Sequence, residues 1–264
     1  MDFLTAASLG IISDCTRVAT LGNNRDIDTG TIPEDLWAGA VLGVLNGTDH
    51  KFIPIPSAPV SMEVVSDNAN DTAAGTGLRT VVVLYLDATY TAKTVVLTLN
   101  GTTPVALPET AVAINGVVRS TTGTFRGSNI GNISVRDVGG LGKTYAYIIA
   151  GEGISRSSLF TVPLGFTLAI TAAFAAIDST DATNKFARVS LVVMSSTGAL
   201  LKGLEVPISS AVPYLHTGAG MLVNSIPEKS ATWISIDNVI SNNTSCSGGF
   251  VGTLIRTSRL VVSN

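Results

Sequence analysis

LRTVVVLYLDATYTAKTVVLTLNGTTPVAL, residues 78–107, is the stretch that decides the fold class. Val81, Val83 and Tyr85, then Val95, Leu97 and Leu99, alternate with their neighbours at period two, the spacing of a half-buried strand. β-Branched and aromatic residues dominate, as a pleated surface favours. The breaks fall at Asp87-Ala88 and Asn100-Gly101, and Asn-Gly suits the positive φ angles of a tight hairpin. The segment reads as a β meander that holds a shape and carries almost no catalytic chemistry.

The same pattern extends in both directions. Residues 61–66, 78–86, 93–99, 111–120, 131–137 and 144–150 read as one series of strands, with turn signals at the spacing expected of a sandwich or barrel. After Gly151-Glu152-Gly153 a second series follows at 158–162, 165–176, 188–195, 200–208, 220–223, 232–238 and 249–262. Residues 178–184 and 242–249 read as long loops. No short tandem repeat and no amphipathic helix stands out. The expected fold is all-β: two antiparallel β-sandwich or jelly-roll-like domains, 56–152 and 153–264, behind an extended N-terminal arm, 1–55.

The arm has no sustained period. Thr31-Ile32-Pro33-Glu34-Asp35 reads as the start of a single helical turn. Ile27, Ile32, Leu36 and Trp37 offer apolar area worth roughly 1.5–3 kcal/mol per buried aliphatic side chain. They are the candidate interface or anchor residues, expected to dock on a sister subunit or another protein; the alternative is that the arm wraps its own first sandwich. Trp is favoured as such an anchor because it fills one well-packed pocket.

Composition narrows the function. Charged residues are 13% of the chain, against about 25% in ordinary globular proteins. Ser and Thr supply roughly a fifth of the residues, and mean hydropathy is +0.42. Weakly charged faces lose water cheaply, which suits a part covered by neighbours in an assembly; a secreted β protein with few charges is the competing account. A net charge of -3 leaves no electrostatic footprint for nucleic acid. The longest apolar stretch, 164–177, is broken by Thr167 and Thr171 and is too short to span ~30 Å of hydrocarbon, so it reads as a core strand or strand pair. An acid at position 2 and no basic run before the apolar residues argue against a signal peptide. Cys15 and Cys246 make no CxxC and no metal-ligand spacing, and two free thiols are expected over a disulfide.

Catalytic constellations are weak. The two histidines, His50 and His216, lie far apart in sequence, and no G-x-S-x-G elbow presents a serine. Asp67, Asp71, Asp178 and Asp181 sit in predicted loops, but a calcium loop starting at Asp67 would place Ala69 at a ligand position; they read as solvated turn acids. Gly75-Thr76-Gly77 lacks a following Gly-Lys-Ser/Thr and precedes a strand, so it reads as a flexible lead-in and not a phosphate loop. No cofactor, metal or catalytic residue is expected, and the chain reads as a non-enzyme.

Several segments nevertheless have a familiar wording. DIDTGTIPEDLWAG (26–39) with MEVVS (62–66), NDTAAGTGLRTV (70–81), VLTLNGTTPV (96–105), NIGNI (129–133) and LFTVPLG (159–165) resemble a family of tailed-bacteriophage virion structural proteins. The likeness covers most of residues 26–165 and thins afterwards. Between 40 and 57, VLGVLNGTDHKFIPIP replaces the family's short aromatic segment. The resemblance implies a virion location and a non-enzymatic role as a tail fibre, adaptor or capsid decoration. It also implies self-assembly, with a trimer favoured, and contact with capsid, neck or tail components, without nucleic acid or membrane insertion. A receptor- or glycan-binding module at a fibre tip is the alternative.

Overall fold

The computed structural model describes residues 15–125, 127–140, 142–178, 185–211, 214–217 and 225–259. They are all-β, in small antiparallel sheets. The helical elements among them are two short 3-10 turns, Ala38–Leu42 and Thr257–Arg259. The chain divides into two compact units, one split (Met1–Leu36 with Ser158–Asn264) and one contiguous (Trp37–Ser157).

The split unit has two five-stranded sheets. In the first, Cys15–Ala19, Thr244–Arg256, Phe166–Ile177 and Tyr214–Thr217 lie in that order, and Gly22–Ile27 also pairs with Thr244–Arg256. In the second, Phe160–Thr161, Ala231–Val239, Phe186–Met194 and Leu200–Ser209 follow one another, with Glu34–Asp35 added to Ala231–Val239. Leu168, Phe250 and Leu254 from the first sheet and Val189, Leu191, Ile234 and Ile236 from the second belong to one buried cluster. The residues 164–177 form a single strand from Phe166, its even positions packing on that cluster at Leu168 and Ile170.

The contiguous unit has a three-stranded sheet, Ala111–Thr122, Leu78–Asp87, Ala92–Thr98, and a four-stranded one, Thr144–Ile148, Ile133–Asp137, Met62–Ser66, Val105–Ala106. Val81, Val83, Leu97 and Val117 from one and Val64, Ile133, Val135 and Ile148 from the other share a second buried cluster. The Asp87 turn is built as its sequence implies: the Asp87 carboxylate accepts from the N–H groups of Thr89 (2.8 Å) and Thr91 (3.0 Å). The Asn100-Gly101 expectation needs correction. Gly101 has the positive φ (59°), but the strand before it lies in one sheet and Val105–Ala106 in the other. It is a corner between sheets, and its N–H is held by the Asp71 carbonyl at 2.8 Å.

Most strands fall where period two placed them; three things differ. Cys15–Ala19 and Gly22–Ile27 are strands inside the expected arm, and the expected loop at 242–249 is the first part of Thr244–Arg256. CTRVA, GNNRDI and TSCSG are polar or turn-rich, so alternation does not announce them. The expected helical turn at 31–35 is a turn followed by the strand Glu34–Asp35. The unit boundaries also move. They fall at 36/37 and 157/158, and residues 15–55 form no separate arm. The expected strand at 220–223 lies outside the described residues.

Candidate functional site

The four expected anchor residues are placed by two short strands. Gly22–Ile27 pairs with Thr244–Arg256 through Ile27 opposite Thr244, and Glu34–Asp35 pairs with Ala231–Val239 through Asp35 opposite Ser235. Ile27 and Leu36 are fully buried members of the split unit's cluster, and Ile32 packs against it. Leu36 donates its N–H to the Ile234 carbonyl at 3.0 Å and accepts from the Ser158 N–H at 3.0 Å. The expectation of an anchor free to dock elsewhere is therefore corrected for Ile27 and Leu36, which are core; Ile32 is half-buried beside them. The strands that place Ile27 and Leu36 pair with segments some 200 residues away, so no local period marks them.

Trp37 begins the contiguous unit and is 1% exposed. Its indole N–H donates to the His50 carbonyl at 2.9 Å, and its ring stacks on the imidazole at 6.2 Å and 27°. A Cβ on Gly39 would meet the indole at 2.1 Å, so only glycine leaves room there. His50 is fully buried. Its Nδ1 lies 2.9 Å from the Thr48 carbonyl and its Nε2 accepts from the Thr144 N–H at 3.3 Å. A carbonyl only accepts and an amide only donates, so this geometry selects the neutral Nδ1–H tautomer and leaves no ring nitrogen for chemistry. The side chain of His216, like Asp181, lies outside what is described.

Of the loop carboxylates, Asp67 and Asp178 are exposed, as solvated turn acids should be, and Asp71 departs from that reading. Asp71 is fully buried. One oxygen accepts from the N–H groups of Leu78 (2.8 Å) and Ile130 (2.9 Å), the other from the Gly131 N–H (2.8 Å) and the Ser66 hydroxyl (2.7 Å). Four donors occupy its lone pairs, so it is a tie between three loops and is unavailable as a base or a metal ligand. Gly77 is glycine because a Cβ there would lie 2.1 Å from the Asp71 carboxylate, and a Cβ on Gly131 would lie 2.2 Å from that of Asp67. Asp67 itself accepts from the N–H and the side-chain amide of Asn132, both at 2.8 Å.

Asn129 completes the knot. Its amide donates to the carbonyls of Gly131 (2.7 Å) and Ile149 (3.0 Å), and its oxygen accepts from the Gly153 N–H (2.9 Å). The Gly75–Gly77 stretch is likewise tied down, with the Gly77 carbonyl accepting from the Gly123 N–H at 2.6 Å. Polarity alone cannot distinguish a solvated turn from a buried knot. The usable signal was the crowding of Asp, Asn and Gly in NDTAAGTG and NIGNI, the two motifs that meet here.

Several polar groups elsewhere are paired. The Ser190 hydroxyl and the Lys202 ammonium both donate to Asp237. In the split unit the Asn24 amide donates to Glu34 at 2.7 Å and the Trp233 indole to Asp35 at 2.8 Å. Asp178 accepts from Ser247 at 2.9 Å. The Tyr145 hydroxyl donates to Asp137 at 2.8 Å, and burial together with that carboxylate raises its pKa. Among the described residues no three His, Cys, Asp or Glu side chains lie together as metal ligands. A cavity in the split unit, between Ala173, Phe174, Val189, Leu191, Tyr214 and Ile234, has a volume of about 10 Å³, room for one water molecule. Neither cysteine is joined in a disulfide. No helix among the described residues is long and apolar enough to cross a membrane.

Compared with known proteins, the chain matches no family model, no curated protein and no solved structure.

Proposed function

We propose that this chain is a non-enzymatic structural component of a tailed-phage virion, with each compact unit an antiparallel β-sandwich. The observation that carries the reading is the knot at Asp71. The motifs that resemble virion structural proteins, NDTAAGTG and NIGNI, meet there and spend their polar groups on holding loops together. The polar atoms of Asp71 are occupied by three backbone N–H groups and the Ser66 hydroxyl, and those of His50 by backbone partners. The sandwich reading is supported by the sharing of one buried cluster by the two sheets of each unit. Low charge supports a role in which much of the surface is covered by other subunits.

Mass spectrometry and antibody labelling of purified particles from a host carrying the gene test this reading. The chain should be found in the particle in a symmetric copy number and should not turn over polysaccharide or peptidoglycan. Absence from particles, or hydrolysis abolished by Asp178→Asn or Glu152→Gln, would refute it.

A further inference from the structure

Two long strands close their sheets on an open side, and they are built differently. Leu200–Ser209 carries the marks of a protected edge: the charged Lys202 and Glu205, Pro207 without an N–H, and an extra residue between the Ser190–Glu205 and Val192–Lys202 pairs. Ala92–Thr98, AKTVVLT, has none of these beyond Lys93 near its start. It pairs with Leu78–Asp87 without a register break from Thr80–Thr98 to Leu86–Ala92. The opposite end of that sheet is covered, since Arg119 donates to the Gly153 carbonyl and Ser155 to the Val117 carbonyl, each at 2.8 Å.

The ladder also tells which backbone groups face the open side. Leu99 donates to the Arg79 carbonyl and Asp87 to the Thr91 carbonyl, so the hydrogen-bonded pairs with the neighbouring strand fall at odd positions of this segment. The N–H and C=O groups of Ala92, Thr94, Val96 and Thr98 point outward, and all four residues are exposed. Val96 is 59% exposed and stands in one row with Val82 and Val118 across the sheet face.

We propose that Ala92–Thr98 pairs antiparallel with the same strand of a second copy, across a twofold axis at Val95, joining two three-stranded sheets into one of six strands. That register is the one that uses the whole strand: Ala92 faces Thr98 of the second copy, Thr94 faces Val96, and every outward N–H meets an outward C=O. It sets Thr94 beside Val96, extending the Val118–Val82–Val96 row, and brings the half-buried Val95 against its own copy. Lys93 faces Leu97, so no like charges stand directly opposite one another. The choice of a second copy as occupant rests on the assembly reading above; the edge itself rests on the ladder.

The full-length chain tests this by sedimentation velocity and oxidative cross-linking. Wild type should associate to a mass of at least twice 27.1 kDa. Thr94→Pro, which removes an outward N–H at a position where an edge strand tolerates proline, and Val96→Lys on the open face should each weaken association about tenfold or more. The circular dichroism of both should stay at wild type, and both should melt as wild type does at a concentration low enough to dissociate it. Val95→Cys should oxidise to a covalent pair, because opposed residues in a non-hydrogen-bonded pair sit about 4.5 Å apart at Cα. Thr98→Cys, which faces Ala92, should not. An assembly indifferent to both edge variants, or a Val95→Cys chain that stays uncross-linked, overturns the edge and leaves the assembly reading standing. A monomer that is still found in particles overturns self-pairing and assigns the edge to another protein's strand.

Discussion

The two units reach closure by different means. The contiguous unit ties its loops with local knots: Asp71, Asp67 and Asn129 bond backbone groups within the span 37–157. The split unit closes with distant chain. Strands at Gly22–Ile27 and Glu34–Asp35 bring Ile27 and Leu36, with Val18 from Cys15–Ala19, into a core otherwise made mostly after residue 158. One unit has its parts in a single run of sequence; the other needs both sides of an insertion.

The largest expected effect follows from that contrast. Deleting residues 1–36 should unfold the split unit, while residues 37–157 expressed alone should keep a cooperative melt and dispersed amide resonances. A folded 158–264 fragment would break the comparison. Next, Asp71→Ala leaves three buried N–H groups and a hydroxyl without their acceptor. It should cost about 3–4 kcal/mol in urea unfolding of the contiguous unit, with the other unit's transition unmoved.

Two adjacent residues sharpen the boundary. Leu36→Ala should cost about 2–5 kcal/mol in the split unit's transition, and Trp37→Phe about 1–2 kcal/mol in that of the contiguous unit, through loss of the bond to His50. If both substitutions move the same transition, the division at 36/37 is wrong. The smallest effect is chemical. Burial, and then the Asp178 carboxylate, push the Cys246 thiol up to about 12. At pH 8 only about one molecule in ten thousand would carry the thiolate. Native Cys246 should resist a thiol reagent, gain reactivity as pH rises towards 12, and react fully when the chain is unfolded; Cys246→Ser identifies the slow group.

What was legible in the sequence tracks these two regimes. Strands such as Leu78–Asp87 and Phe166–Ile177 show their alternation because one face packs on the core along most of their length. Gly22–Ile27 and Glu34–Asp35 are too short and too polar to do so, and what makes them strands is a partner more than 200 residues away. Ile27, Leu36 and Trp37 are buried and Ile32 is half-buried, but the sequence does not say against what. Asp71 reads as solvated for the reverse reason: three of its four partners are backbone amides, and the crowding of Asp, Asn and Gly around it marks the knot without naming them. The open edge at Ala92–Thr98 lay within the best-defined stretch of all, yet edge or centre is a property of sheet order, which alternation does not encode.

The insertion has a consequence for how the chain is made. All of 37–157 has left the ribosome about a hundred residues before Thr244–Arg256 is complete, so at 5–20 residues per second the contiguous unit has roughly 5–20 s to fold first. Through that interval Ile27 and Leu36 have been synthesised but their partner strands have not. The nascent chain therefore carries a sticky leading segment beside a finished domain, a species that chaperones recognise and that slower translation between 157 and 256 would prolong.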